Sequence, residues 1–269
     1  MNNCLKVALL WCAVLCISPF AHAQGSVFIE ELTTQEISQA LKTGKTTVLI
    51  PIGGTEQNGP HMVLGKHNVR AKVLAGKIAA QLGNALVAPV LAYTPEGNID
   101  PPTEHMGFVG TVSISSDAFK SVLLGAARSF QKHGFTDVVL LGDSGNYQKL
   151  LTQVADAFNR QAGKSPTRVH HLLAYYRAAQ TTYVDALKAK GLSAAEIGVH
   201  AGSADTALAM AVDPTLVKPE RFAEAIRLGK SGGTAGDPRG STAAIGQLGV
   251  DAVVKISVDA IKNVTAAPR

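Results

Sequence analysis

The stretch TTVLIPIGGTEQNGPHMVLGKHNV (46–69) joins a short apolar run to a turn that is dense in polar side chains. Its first seven residues, bounded by glycines, are typical of a strand buried inside a sheet. An ordinary surface turn does not require a glutamate and two histidines within a dozen residues. The polar segment therefore indicates a metal site or a catalytic pocket directly after a buried strand.

Three further apolar runs predict buried strands, namely ALVAPVLA (85–92), TDVVLLG (136–142) and RVHHLLA (168–174). The segments 68–83, 116–134 and 146–163 between them have helical periodicity. This β-α-β-α alternation favours a largely parallel sheet covered by helices. Sites in such sheets form outside the carboxyl ends of the strands. The polar turn and LGDSGN (141–146) both follow predicted strands, and we expect them to meet.

The N-terminus has the pattern of a secretory signal peptide. Lys6, the apolar run VALLWCAVLCI and the motif Ala21-His22-Ala23 predict cleavage after residue 23. We therefore expect a mature domain over residues 24–269 in the periplasm or outside the cell. All three cysteines lie in the predicted signal, so we expect no disulfide bond in the mature chain. The net charge is +5, but the lysine and arginine residues are scattered along the sequence. This distribution predicts neither a nucleic-acid partner nor, after cleavage, a membrane partner.

Five residues have the chemistry of ligands for zinc or manganese: Glu56, His61, His67, Asp143 and His200. Their spacing contains no compact metal-binding motif, so the residue types alone leave solvated, capping and core roles open. Glu104 and His105 lie in a proline-rich loop, which either lines the pocket or is exposed. The low aromatic content, 5%, argues against a large stacking pocket.

Five blocks of the chain, in order, resemble the creatininase family. They are TVLIPIGGTEQNGPHMVLGKHNV (47–69), FVGTVSI (108–114), VVLLGDSGN (138–146), VHAGSADTALAM (199–210) and GTAGDPRGSTAAIG (233–246). The resemblance implies a three-layer α/β/α sandwich and metal-dependent hydrolysis of amide or cyclic amide C–N bonds. It also implies a homo-oligomer, with hexamers common in the family, and a small-molecule amide as substrate.

The family pattern implies a ligand set in which two residue types are exchanged. Glu56 matches the first ligand, His67 stands where the family has aspartate, and Asp143 stands where it has histidine. The resemblance therefore implies one zinc or manganese ion bound by Glu56, His67 and Asp143. We expect no second ion, because Asn58 and Gly145 occupy two of its ligand positions.

The resemblance also implies roles for three residues around the ion. His200 matches a family histidine and is expected to act as a general acid or base. Asp205 is expected to anchor the site or the start of a helix. Asn58 is expected to orient the substrate or a water molecule by hydrogen bonds.

Two other functions remain open from the sequence. The altered ligand positions are compatible with a non-catalytic exported binding or scaffold protein, since a fold does not fix a function. Gly-Asp-Ser (142–144) after a strand also resembles the first block of a family of serine esterases, with Ser144 as nucleophile. That reading lacks a D-x-x-H motif in the second half of the chain, which would supply the base.

Overall fold

The computed structural model describes residues 25–267, so the predicted signal peptide lies outside the described residues. Its centre is a parallel sheet with the strand order β2-β1-β3-β4. The strands are β1 (Thr47–Ile52), β2 (Ala85–Val87), β3 (Asp137–Gly142) and β4 (Arg168–His171). The four apolar runs thus form the four strands. Strand β2 is shorter than expected because Pro89 has no amide hydrogen with which to continue the ladder.

Ten α-helices surround the sheet within the described part of the chain. They are α1 (Thr34–Lys42), α2 (Lys66–Leu82), α3 (Ser116–Lys132), α4 (Gln148–Gln161), α5 (Leu173–Gln180), α6 (Thr182–Ala189), α7 (Ala194–Ile197), α8 (Ser203–Val212), α9 (Phe222–Leu228) and α10 (Ala243–Ala266). None of these helices has the length and apolarity that crossing a bilayer requires.

The alternation of side chains along each strand creates two cores, one on each face of the sheet. Val48 and Ile50 point to the face covered by α3 and α4. Leu49 and Val139 point to the opposite face, covered by α2, α5, α8 and α10. The architecture is therefore the expected three-layer α/β/α sandwich with a parallel sheet.

The topology places the first polar turn beside the loop that follows β3. Strand β1 is central and pairs with β3 over its full length, up to Ile52 opposite Gly142. The chain moves to one side of β1 to form β2 and to the other side to form β3, so the carboxyl ends of β1 and β3 form a topological switch point. The buried Tyr147 hydroxyl ties the two loops together: it donates to the Gly53 carbonyl at 2.6 Å and accepts from the Ser144 amide at 3.0 Å.

Candidate active site

The carboxylate of Glu56 lies just beyond β1 and is 1% exposed. Its Oε1 atom accepts a hydrogen bond from Nε2 of His67 at 2.9 Å. Its Oε2 atom is buried and has no hydrogen-bond partner among the described residues. Burial would raise the pKa of Glu56, but the charge and hydrogen bond of His67 outweigh it and lower that pKa. Glu56 is therefore an ionised carboxylate with one oxygen left for a ligand.

His67, near the start of α2, lies between two carboxylates. Its Nδ1 atom is 2.6 Å from Oδ2 of Asp143, and its Nε2 atom faces Glu56. Ionised carboxylates only accept hydrogen bonds, so both ring nitrogens carry a proton and the ring is an imidazolium cation. Burial and Lys66 oppose this charge, but Glu56 and Asp143 outweigh them and raise the pKa of His67.

Arg70 and Lys66 extend this network on either side of His67. Arg70, one helical turn further along α2, donates from Nε to Asp143 Oδ2 at 2.8 Å and from Nη1 to Asp205 Oδ1 at 2.9 Å. The fully buried Lys66 places Nζ 2.7 Å from Asp205 Oδ2. Three carboxylates thus face three cationic side chains, and their charges balance.

The structure brings together Glu56, His67 and Asp143, the three residues that the sequence predicts as metal ligands. Direct hydrogen bonds connect them through His67. Ion binding through His67 requires the loss of a proton and of at least one of these hydrogen bonds. Metal ligation by His67 and Asp143 therefore stays a prediction.

A pair of histidines lies on the other side of Glu56. The rings of His105 and His200 have centroids 4.9 Å apart. Nε2 of Gln57 is 3.0 Å from Nδ1 of His105 and 3.2 Å from Nε2 of His200, so one amide contacts both rings. Burial, followed by the charge of Lys66, lowers the pKa of His200 to about 4. His200 is therefore a neutral imidazole at neutral pH, the form that binds metal ions.

Both histidines are next to a residue with unusual backbone geometry. Glu104, before His105, has a φ of 52°, and Ala201, after His200, has a φ of 53°. A residue other than glycine in this left-handed region costs roughly 1–3 kcal/mol, and such strain is concentrated at functional sites. The carboxylate of Asp205 stabilises the backbone at Ala201 by accepting a hydrogen bond from the Ala201 amide at 3.1 Å.

Glu56, His105 and His200 have the arrangement of a potential ion site. One ligand atom from each lies within 4.8 Å of the other two. His105 Nε2 is 3.6 Å from the unpartnered Oε2 of Glu56. One carboxylate and two imidazoles form a donor set that catalytic zinc sites use, with a coordination position left open. These residues therefore fit a divalent ion.

A cavity of about 260 Å³ opens over these groups. Its lining includes Ser144, whose Oγ atom receives only a long contact of 3.5 Å from the Asn146 amide. None of the histidines in residues 25–267 forms a hydrogen bond with Ser144, so the base that a serine nucleophile requires is missing from the described site.

Asn58, expected to orient substrate or water, is buried beneath the turn and is not among the residues that line this cavity. Its Nδ2 atom donates to the Glu56 carbonyl at 2.8 Å, so Asn58 braces the turn. His61 is also buried, and its Nε2 atom contacts the Thr206 hydroxyl at 3.0 Å.

Glu96 and Tyr176 belong to the site although sequence reasoning did not select them. Glu96 accepts from Thr94 Oγ1 at 2.6 Å and from Asn146 Nδ2 at 2.8 Å, and burial together with Glu56 raises its pKa to about 8. Tyr176 lines the cavity, and a Cβ atom on Gly145 would lie 2.7 Å from its hydroxyl. The phenol therefore takes the space that a side chain at position 145 would need.

Some of the site residues that the sequence prediction did not include have a recognisable sequence pattern, and others have none. Arg70 lies in the predicted helix 68–83 and follows His67 by three residues. This spacing places both side chains on the same face when the helix begins at Lys66, as α2 does. His105 lies in the proline-rich loop that was expected to line the pocket or to be exposed, and the structure places it in the lining. Glu96 and Tyr176 have no pattern that distinguishes them from structural residues.

Comparison with known proteins agrees with this architecture. The family model described as creatininase, creatinine amidohydrolase, matches residues 30–261. The mycofactocin precursor peptide peptidase of Mycolicibacterium smegmatis is 30% identical over 84% of this chain and 88% of its own length. The creatinine amidohydrolase of Pseudomonas putida is 25% identical over 74% of this chain and 76% of its own.

Solved creatininase structures have the same fold. One described as the manganese form superposes with a TM-score of 0.75 at 23% identity and covers 90% of this chain and 100% of its own. A Zn-Zn type mutant has a TM-score of 0.73, also at 23% identity, and covers 90% of this chain and 99% of its own. The matching family model spans most of the sequence, and this chain belongs to the creatininase family.

Proposed function

We propose that this protein is a metal-dependent hydrolase of amide C–N bonds that binds one divalent ion, zinc or manganese, through Glu56, His105 and His200. The observation that carries the proposal is the convergence of the buried Glu56 carboxylate with the imidazoles of His105 and His200, since one ligand atom of each lies within 4.8 Å of the other two. One carboxylate and two imidazoles are a donor set that divalent ions bind. Family membership supports the reaction class, and the relatives' names supply amides and peptides as substrates.

The charge distribution favours one ion rather than two. The position next to Glu56 and Asp143 is already filled by the cationic side chains of His67 and Arg70. Gly145 offers no ligand atom, and the adjoining space is taken by the Tyr176 phenol. A second divalent ion there would meet like charges at short range.

The chain's own residues position the reacting groups. A bound ion of this kind supplies Lewis acidity to the amide carbonyl and to a water molecule. His67 fixes the orientation of Glu56 through Oε1, and Gln57 contacts the rings of His105 and His200. Glu96, with its raised pKa of about 8, holds a proton beside Glu56 at neutral pH. This proposal assigns His200 to ion binding instead of the acid–base role that the sequence predicts.

Metal analysis of purified protein tests the ligand set. Wild type, after incubation with zinc or manganese and removal of excess ions, is expected to retain about one ion per chain. Glu56→Gln, His105→Ala and His200→Ala are expected to lose it. His133→Ala, which removes an exposed histidine at the end of α3, is the matched control and is expected to retain the ion.

The variant His67→Gln separates the two possible ligand sets. Retention of the ion in His67→Gln and its loss in His105→Ala supports the proposal, with circular dichroism as the check on folding. The reverse pattern returns the ligand role to Glu56, His67 and Asp143. Wild type that binds no ion under any condition favours the non-catalytic binding protein.

Activity is tested with a panel of lactams, simple amides and short peptides. Hydrolysis is expected to disappear on chelation, to return when zinc or manganese is added, and to survive Ser144→Ala. Activity that resists chelation and is abolished by Ser144→Ala would instead establish the serine hydrolase.

Location and assembly are part of the proposal. We infer export to the periplasm or beyond from the N-terminal segment, and a homo-oligomer, such as a hexamer, from the family resemblance. Light scattering of the mature protein tests assembly, and a mass equal to one chain at micromolar concentration contradicts it.

A further inference from the structure

A second cavity adjoins the candidate active site among the helices that cover one face of the sheet. Arg70, Asp143, Tyr176, His200 and Asp205 line both cavities, so the two lie side by side. The second cavity extends from this shared wall between α5, α6 and α8. A substrate whose amide lies over Glu56 therefore has an adjoining space for another part of the molecule.

Part of the wall of this second cavity is apolar. Its walls include Leu74, Ile197, Leu208 and Val253, together with the rings of Tyr175 and Tyr183. The tyrosine hydroxyls are directed to protein acceptors: Tyr175 donates to Asp143 Oδ1 at 2.8 Å, and Tyr183 donates to the Ala204 carbonyl at 3.4 Å. The surfaces that these six residues leave for a ligand are aliphatic groups and ring faces.

The charged groups at the shared wall are already paired. Arg70 is held by Asp143 and Asp205, and Asp205 is also held by Lys66. A charged group of a ligand would therefore lose its hydration without gaining a free partner. An uncharged apolar group gains by leaving water and requires no partner.

The size of the cavity limits what can enter it. Its volume is about 50 Å³. A single water molecule needs roughly 10–15 Å³ of such space. The space therefore suits one branched aliphatic side chain or one aromatic ring and is too small for a larger group.

We propose that this cavity, lined by Tyr175, Tyr183 and Leu208, binds one uncharged apolar side chain of the amide substrate. This inference rests on the proposed function, because it places the substrate amide at the Glu56 site. It names the substrate class as amides of amino acids that carry an aliphatic or aromatic side chain.

Ligand binding measured separately from hydrolysis tests the proposal. The probes are the N-acetyl amides of alanine, leucine, phenylalanine and lysine, titrated by calorimetry into zinc-loaded protein. Complete burial of each additional methylene strengthens binding by about fourfold. Leucine and phenylalanine add three or more carbons, so even partial burial is expected to make these probes bind about tenfold more tightly than the alanine probe. The lysine probe is expected to show no gain over alanine.

A variant that fills the cavity gives the structural control. Ala179 lines the cavity, and Ala179→Leu is expected to remove the advantage of leucine and phenylalanine while leaving alanine binding unchanged. Ala189→Leu adds the same volume on an exposed position of α6 and is expected to retain the advantage. Val184 also lines the cavity, and Val184→Ala enlarges it. The ratio of phenylalanine affinity to leucine affinity is expected to be higher in this variant than in wild type.

The outcomes separate this inference from the proposed function. Equal affinity of wild type for the alanine, leucine and phenylalanine probes overturns the side-chain pocket, and so does an advantage that persists in Ala179→Leu. Side-chain-dependent binding without hydrolysis of any amide supports the pocket and contradicts the proposed function. Hydrolysis of amides without any side-chain preference supports the proposed function and contradicts the pocket.

Discussion

At the scale of single residues, the site is governed by the hydrogen bonds of His67. The exchange of histidine and aspartate against the family pattern keeps one imidazole between two carboxylates. An aspartate at position 67 would place its negative charge beside Glu56, where a cation must compensate it. The imidazolium supplies that compensation within the chain, and Arg70 reinforces it at Asp143.

Asp205 gives a test of the buried charge network at neutral pH. Asp205→Asn leaves Lys66, which is fully buried, without its carboxylate partner. Removal of one partner from a buried ion pair costs about 3–5 kcal/mol, so the free energy of unfolding in urea is expected to fall by that amount at pH 7. Asp259→Asn, on an exposed pair with Lys255, is the matched control and is expected to change little.

The ionisation of Asp205 is expected to make the stability of the protein depend on pH. Burial opposes ionisation of Asp205, but Lys66 and Arg70 hold its pKa well below the ordinary value of 3.8. A carboxyl group with a depressed folded pKa stabilises the fold above its unfolded pKa, and this contribution is lost as pH falls through the folded pKa. Below about pH 3.8, wild type is therefore expected to lose stability more steeply than Asp205→Asn in urea titrations. Parallel slopes for the two proteins contradict this account.

At the scale of elements, helix α2 carries three cations of the site on its first turns. Lys66, His67 and Arg70 all point towards the carboxyl ends of β1 and β3 because their spacing places them on adjoining faces of one helix. The helix begins at the switch point of the sheet, so its start is fixed relative to the loop after β3. The position of the cations thus follows from where one helix begins.

The packing of α8 against α10 gives a prediction at this scale. A Cβ atom added to Gly246 on α10 would lie 1.8 Å from the Ala207 carbonyl oxygen on α8, and the helices cannot separate without opening the core. Gly246→Ala is expected to destabilise the protein by more than about 2 kcal/mol, since overpacking forces backbone shifts. Gly125→Ala, in the exposed face of α3 with nothing within 4 Å, is expected to stabilise by about 0.5–1 kcal/mol.

Denaturant unfolding of both glycine variants measures this contrast. Equal effects of the two substitutions would falsify the close approach of α8 and α10. Crystallographic superposition of Gly246→Ala, if it folds, is expected to show a displaced α10.

At the scale of the whole molecule, we predict that export removes residues 1–23 from the chain. We predict that protein recovered from a secreting host begins at or near Gln24, since the A-x-A motif ends at Ala23. Intact-mass measurement checks the N-terminus, and a mature fraction that retains Met1 contradicts the prediction. Changing Ala21 and Ala23 to bulky residues is expected to block processing, whereas changing His22 between them is expected to leave it intact.

The sequence by itself determined the fold and which two loops lie side by side at the candidate site. Apolar runs that alternate with helical segments indicated a parallel sheet. The strands of such a sheet are covered by helices on both faces, so their sequences are continuously apolar. The polar turn after β1 and LGDSGN after β3 identified Glu56 and Asp143 as neighbours, because parallel strands end at the same edge. The local sequence pattern was sufficient to predict the position of a side chain wherever that position depends only on the strand or helix that carries it.

Only the tertiary structure decided what each polar group contacts. His105 lies in a short 3₁₀ helix (Glu104–Gly107) and His200 in a turn before α8, and no periodicity relates either of them to Glu56. The imidazolium state of His67 depends on two carboxylates from separate loops, and the pocket of Tyr175 and Tyr183 depends on the packing of α5 and α6 against α8. Charge state and pocket shape are set by neighbours that are distant along the chain, and the spacing of residues in the sequence does not encode those contacts.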